Sequence, residues 1–274
     1  MKKATRLPPA SRAAATSCIV NSMGTGTAAF TLRLGKNEYK CDIKLPSGPV
    51  RAVELLPVMN AVAELVVDNA VEEAVDEGRT ITCKAGCGAC CRQPVPVSVH
   101  EAEALLKLVA GMEWERRVKV EGRFVAAVRR MEESGLVEGM RGIGKLTDEN
   151  ERRELALKYF ALGVPCPFLE EESCSIYEHR PMRCREYLVT SPAENCAAPA
   201  PETVKMVQLK GAPAQALYRL GEGEKEVEPE FIVMTLLPEW KGSAGEATVP
   251  APQILQTFLI SLGGGGSKSE AKPE

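Results

Sequence analysis

Cys83-Lys-Ala-Gly-Cys87-Gly-Ala-Cys90-Cys91, followed later by Cys166-Pro-Phe-Leu, by Cys174-Ser-Ile-Tyr-Glu-His-Arg-Pro-Met-Arg-Cys184-Arg and by Cys196, carries eight of the ten cysteines of this chain. Thiolates are soft, charged ligands, and several in one dry site repel each other unless a soft cation neutralises them. Zinc, or iron in an iron–sulfur cluster, meets that need. Gly86 and Gly88 flank Cys87 and predict unusual backbone angles there, while Pro165 and Pro167 fix the loop around Cys166 and remove amide donors. Cys90 and Cys91 are adjacent, so they serve two metals, or one lies outside the ligand shell, or the chain turns sharply between them. All three remain open at the level of sequence.

Basic residues stand beside these cysteines. A four-thiolate zinc site, like an oxidised [4Fe-4S] cluster with its ligands, carries about −2. Arg92, Arg180 and Arg185 are candidates to offset that charge or to hold an anionic group, against the alternative of arginines on a solvated turn. If the protein is an enzyme, His179, Arg92 and Arg183 are the candidate catalytic residues. Tyr177 and Tyr187 are read as core or pocket residues, and His100 as surface or packing.

Outward from the cysteines, the periodicities predict a mainly helical α+β protein, its body organised around a cysteine-ligated metal region. Phe30, Leu32 and Leu34, then Tyr39, Cys41, Ile43 and Leu45, alternate about Gly35-Lys36-Asn37-Glu38, which reads as a small N-terminal β-hairpin. Leu55, Met59, Val62, Val66, Ala70 and Ala74 mark a long helix stopped by Gly78. Ser98-Val99-His100-Glu101 is a capping box opening a helix that ends near Gly111. A charged helix follows from Trp114 to Glu133, then a glycine-marked flexible connection over 135–144, then a helix capped by Thr147 and ended by Gly163 and Pro165. An amphipathic segment over 203–220 is interrupted by Pro213. A strand lies within 228–237 and a short helix within 250–262. The expected divisions are a flexible tail (1–27), hairpin and helix (28–79), a cysteine-rich metal-binding domain (80–200), a C-terminal extension packing on the core (201–262) and a disordered tail (263–274).

The totals set bounds. At 274 residues and 29.6 kDa the chain can bury a core without cysteine staples. Its formal charge of −3, with basic residues scattered among acidic ones, makes nucleic acid an unlikely partner. No apolar run approaches a membrane span and no secretory signal is visible, so the expectation is a cytoplasmic protein. The first 37 residues hold Lys2, Lys3, Arg6, Arg12, Arg33 and Lys36 and no acid, so an organelle interior follows if they form a transit segment. In a reducing compartment disulfides are rare.

The order and spacing of the eight cysteines resemble the CxxCxxCC family of zinc- or iron-chelating domains, over residues 80–200. That family includes the cluster-binding part of flagellin lysine methylases. The resemblance implies that Cys83, Cys87, Cys90, Cys91, Cys166, Cys174, Cys184 and Cys196 are the chelating set, with Pro181 and Arg185 at the family's turn and basic positions. It implies metal binding more strongly than any reaction. The Cys83-x3-Cys87-x2-Cys90 spacing also matches radical S-adenosylmethionine enzymes, but the strand and helix pairs of that fold do not follow. The expected function is therefore an iron–sulfur protein, with [4Fe-4S] as cofactor, zinc as the alternative, and a small molecule or protein as substrate. Other readings are a structural zinc adaptor, metal delivery or sensing, and an S-adenosylmethionine-dependent lysine methyltransferase.

Overall fold

The structure is a computed structural model describing residues 17–20, 26–200, 202–221, 230–242 and 247–263. The N-terminal hairpin forms as its alternation predicts. Strands β2 (Gly26–Leu34) and β3 (Asn37–Leu45) pair antiparallel around Gly35, whose φ of 59° suits glycine. Tyr39, Cys41, Ile43 and Leu45 point inward. A further strand, β1 (Ser17–Val20), lies where a flexible tail was expected and runs parallel to β3, with Cys18 opposite Cys41 in register. Cys41 is disulfide-bonded, an exception to the expected rarity of disulfides. The rest of the expected N-terminal tail, 1–16 and 21–25, and the C-terminal tail beyond Gly263 lie outside the described residues.

After a two-residue strand β4 (Pro49–Val50), helix α1 (Leu56–Asp76) lays Met59, Val62, Ala63 and Val66 against the hairpin, each essentially fully buried. Burying each larger one contributes about 1.5–3 kcal/mol. The chain then leaves this core. Through β5 (Pro96–Val97) it enters α2 (Val99–Ala110), α3 (Trp114–Glu133), α4 (Val137–Gly142) and α5 (Glu149–Ala161). The capping box is present, Ser98 Oγ accepting from Glu101 N at 3.1 Å and Glu101 accepting from Ser98 N at 2.9 Å.

Two local readings are corrected. The expected flexible connection over 135–144 contains α4, and two of its glycines serve close packing: a Cβ on Gly139 would meet Leu155 at 3.0 Å and one on Gly144 would meet Phe231 O at 3.3 Å. Helix α5 is capped by Asp148, not Thr147, its carboxylate accepting from Asn150 N at 2.8 Å.

A hairpin of two-residue strands, β6 (Leu169–Glu170) and β7 (Ser173–Cys174), precedes the short helix α6 (Met182–Glu186). The C-terminal part then returns to the first core. Pro213 does not interrupt a helix; it opens α7 (Pro213–Tyr218) at the position where its missing N–H costs nothing. Strand β8 (Ile232–Val233) pairs with β5, β9 (Val249–Pro250) pairs with β4, and α8 (Ala251–Gly263) packs on α7. Ile254, Leu255, Phe258 and Leu262 join the hairpin and α1 in one apolar cluster. The hairpin, α1, α7 and α8 therefore share a core that Met182 of α6 also enters, while Val233, Met234, Leu236 and Leu237 pack with the α2–α5 flank of the cysteine-rich stretch.

Candidate metal centre

The first cysteine group occupies a loop and a 3-10 turn, Ala89–Arg92. The second spans the β6–β7 hairpin, α6 and a 3-10 turn at Ala193–Ala197. Backbone hydrogen bonds bring the two together. Cys166 N donates to Cys91 O at 2.7 Å, Thr82 N to Val189 O at 3.1 Å, and Val189 N to Cys83 Sγ at 3.4 Å.

The two glycines beside Cys87 have separate duties. Gly86 holds φ at 82°, as its type predicts, whereas Gly88 has an ordinary φ of −92°. Gly88 is needed for approach: an added Cβ would lie 2.5 Å from Glu172 Oε2 and 2.8 Å from Leu169 Cδ1. The β6–β7 hairpin is thus seated directly on the first cysteine loop. Its turn residues Glu171 and Glu172 both have positive φ, 49° and 55°, a conformation that non-glycine residues adopt at a cost of about 1–3 kcal/mol. Ion pairs help hold it, Arg92 to Glu172 at 2.7 Å and Arg123 to Glu170 at 2.9 Å.

None of the eight cysteines is in a disulfide, and all are wholly or partly buried. Burial pushes Cys166 up to about 12 and Cys196 up to about 11, and raises Cys174 and, further, Cys184. Cys90 and Cys91 share a hydrogen bond that lowers Cys90 and raises Cys91. Thiols so desolvated keep their protons unless a cation offsets the charge, and a soft metal ion is such a cation. The donor set therefore fits zinc or iron. Among the described residues, no group of three His, Cys, Asp or Glu side chains is already arranged to hold a metal ion. The sulfurs are gathered without being closed into a coordination shell.

The arginines divide by partner. Arg92 donates to Glu172 and to Gly88 O, and Arg183 to Glu186 Oε2 at 3.4 Å. Arg185, 9% exposed, donates to Glu64 on α1, to Arg180 O at 2.9 Å and to Glu178 O at 2.6 Å, so it pins the turn ahead of α6. Arg180 has no carboxylate partner among the described residues. Its guanidinium lies 3.8 Å from the centroid of the Tyr177 ring, and its charge lowers the pKa values of Cys90, Cys174 and Cys184 against the effect of burial. His179 is exposed, as is Tyr177. His100 is fully buried, its Nε2 2.8 Å from Leu220 O, which places it in packing and not on the surface.

Two contributors escaped the sequence reading, and a third, Tyr187, was read only as a core or pocket residue. Glu101 accepts not only from Ser98 but from Met182 N at 2.7 Å, so one carboxylate caps α2 and also the helix bearing Cys184. Glu186 does the same for the next element, accepting from Ala214 N at the start of α7 at 2.6 Å. Tyr187 hydrogen-bonds Gln93 and Cys196 and lies within electrostatic reach of Cys83 and Cys90. The capping-box spacing signalled the first role of Glu101; the second depends on a partner 81 residues away.

The arrangement can hold a thiolate-bound metal beside one uncommitted guanidinium. No helix among the described residues is long and apolar enough to cross a membrane. Residues 82–203 match the model of the CxxCxxCC family, described as a "putative zinc- or iron-chelating domain". No curated protein and no solved structure matches the chain.

Proposed function

We propose that the cysteine-rich stretch, a metal-binding region by its family, holds an iron–sulfur centre serving redox or enzymatic chemistry. The observation that carries this reading is the meeting of two distant cysteine segments through Cys166 N and Cys91 O, with sulfur as the donor throughout. Such a centre supplies one-electron transfer, or Lewis acidity at an open iron. The protein's own residues supply the rest. Arg180 offsets thiolate charge, the amide of Val189 donates to Cys83 Sγ, and Arg185 with Glu101 fixes the α6 segment that presents Cys184. An anionic substrate would meet Arg180 and His179 before Arg92 or Arg183, which are engaged by Glu172 and Glu186.

Protein purified without oxygen should be coloured and should carry iron and acid-labile sulfide. A colourless protein holding stoichiometric zinc under both aerobic and anaerobic purification overturns the iron reading.

Structural zinc is the second reading, favoured by the two-residue strands and 3-10 turns of this stretch, which bury little apolar surface of their own. A lysine methyltransferase draws support only from the flagellin-modifying members of the family that the cysteine pattern resembles. No glycine-rich strand-to-helix loop for S-adenosylmethionine is evident among the described residues, and titration with that cofactor tests it.

A further inference from the structure

Consecutive side chains on a 3-10 turn leave its axis about 120° apart, because the turn has about three residues per revolution. Cys90 and Cys91 sit on such a turn, and their surroundings differ. Cys91 belongs with the second segment. Its carbonyl accepts from Cys166 N, and Cys166 O accepts in turn from Leu169 N at 2.9 Å. Leu169 lies opposite Cys174 in the β6–β7 register. Cys166 and Cys174 both pack on the apolar cluster of Phe124, Phe168 and Ile176. Cys184 lies within electrostatic reach of Cys91, Cys166 and Cys174.

Cys83 stands in a different environment. It accepts from Val189 N and packs on a separate apolar cluster, Val67, Ala70, Leu188 and Val207. Cys196 lies within electrostatic reach of Cys83 and Cys87, and its Tyr187 partner lies within reach of Cys83 as well. The turn bearing Cys90 and Cys91 packs against the turn bearing Cys196. Cys90 is close to both groups of sulfurs.

We propose that the eight cysteines form two metal sites, an inner one of Cys91, Cys166, Cys174 and Cys184 and an outer one of Cys83, Cys87, Cys90 and Cys196. The assignment rests on the reading of this stretch as a thiolate metal centre and goes beyond it by giving every sulfur a site. The Cys90-Cys91 adjacency becomes the seam between two sites. The inner site is walled by Phe168 and Ile176, while the outer one borders the exposed loop Lys84–Gly86. The outer ion therefore exchanges faster. Each thiol releases its proton to solvent as the metal binds.

Cobalt(II) titration of the metal-free full-length protein, kept reduced and without oxygen, tests this through thiolate-to-cobalt absorption. The unsubstituted protein should saturate at about two cobalt ions per chain, given about four thiolates for each tetrahedral ion. The pair Cys166→Ser, Cys184→Ser and the pair Cys83→Ser, Cys196→Ser should each saturate at about one. Saturation of the unsubstituted protein at one ion overturns the two-site assignment, and this readout needs no variant to fold. Loss of both ions from either pair, with helical circular dichroism retained, also overturns it. Absence of any thiolate-to-cobalt band in the unsubstituted protein overturns the metal-centre reading itself.

Discussion

The stretch that carries the cysteines and the core beside it are held by different forces. The core draws β2, β3, α1, α7 and α8 around Met59, Val62, Leu217 and Phe258, side chains with almost no exposure. The stretch from Cys83 to Cys196 has a helical flank, α2 to α5, with apolar clusters that reach Cys166 and Cys174 through Phe168 and Ile176, but its backbone where the sulfurs meet is made of short strands and turns tied by ion pairs and single hydrogen bonds. One region is stabilised by burial. The other is positioned largely by polar contacts and leaves its thiols desolvated and mutually repulsive if they ionise, so on the proposed reading a metal completes its order.

That contrast can be broken by substitutions aimed at one side only. Phe258→Ala, in the burial-driven core, should cost about 3–5 kcal/mol of unfolding free energy. It should leave metal stoichiometry unchanged; loss of metal along with stability would merge the two regions. Gly88→Ala should act in the opposite sense. The added methyl strikes Glu172 and Leu169, and overpacking of this kind costs about 1–3 kcal/mol. Metal retention should fall while the melting of the core changes little, and an unaltered metal content would show that the close seating of the hairpin does not matter.

Arg180→Gln sharpens the comparison further. Removing a charged neighbour from a metal's surroundings typically lowers affinity about 10- to 100-fold, and here the cation that favours ionised Cys90, Cys174 and Cys184 disappears. The effect should be measured by competition with a chelator and should shrink as pH rises and thiolates form unaided. Equal affinity at neutral pH would deny Arg180 its electrostatic role.

The smallest effect belongs to His100. Burial lowers its pKa below the ordinary 6.5, so the unfolded chain takes up the proton first as pH falls. Its stabilising contribution is complete above about 6.5 and is lost toward its lower folded pKa, at no more than about 1.4 kcal/mol per pH unit. His100→Gln should flatten that part of the stability profile in denaturant titrations. An unchanged slope would show that other groups produce it.

The core was legible because its signals are local and periodic. The alternation of Tyr39, Cys41, Ile43 and Leu45, and the three- and four-residue steps from Leu55 to Ala74, each determine which face is buried. The candidate site was legible as a cysteine pattern, which the family match over residues 82–203 covers, but not in its architecture. Gly88 looks like a residue chosen for its backbone angles and serves instead to admit the hairpin. Arg92, Arg183 and Arg185 stand beside cysteines in sequence yet turn to Glu172, Glu186 and Glu64. Which of several neighbouring arginines keeps its charge for the metal depends on carboxylates far away in the chain. Gly139 and Gly144 misled for a related reason, because tight packing and flexibility call for the same residue.

Hydrogen exchange on the metal-loaded and metal-stripped protein tests the division between the two regions most directly. The account predicts that removing the metal abolishes protection of Cys166 N, Val189 N and the amides of α6, while amides of β3, α1 and α8 keep theirs. Equal loss of protection across both regions, or none in either, would contradict it.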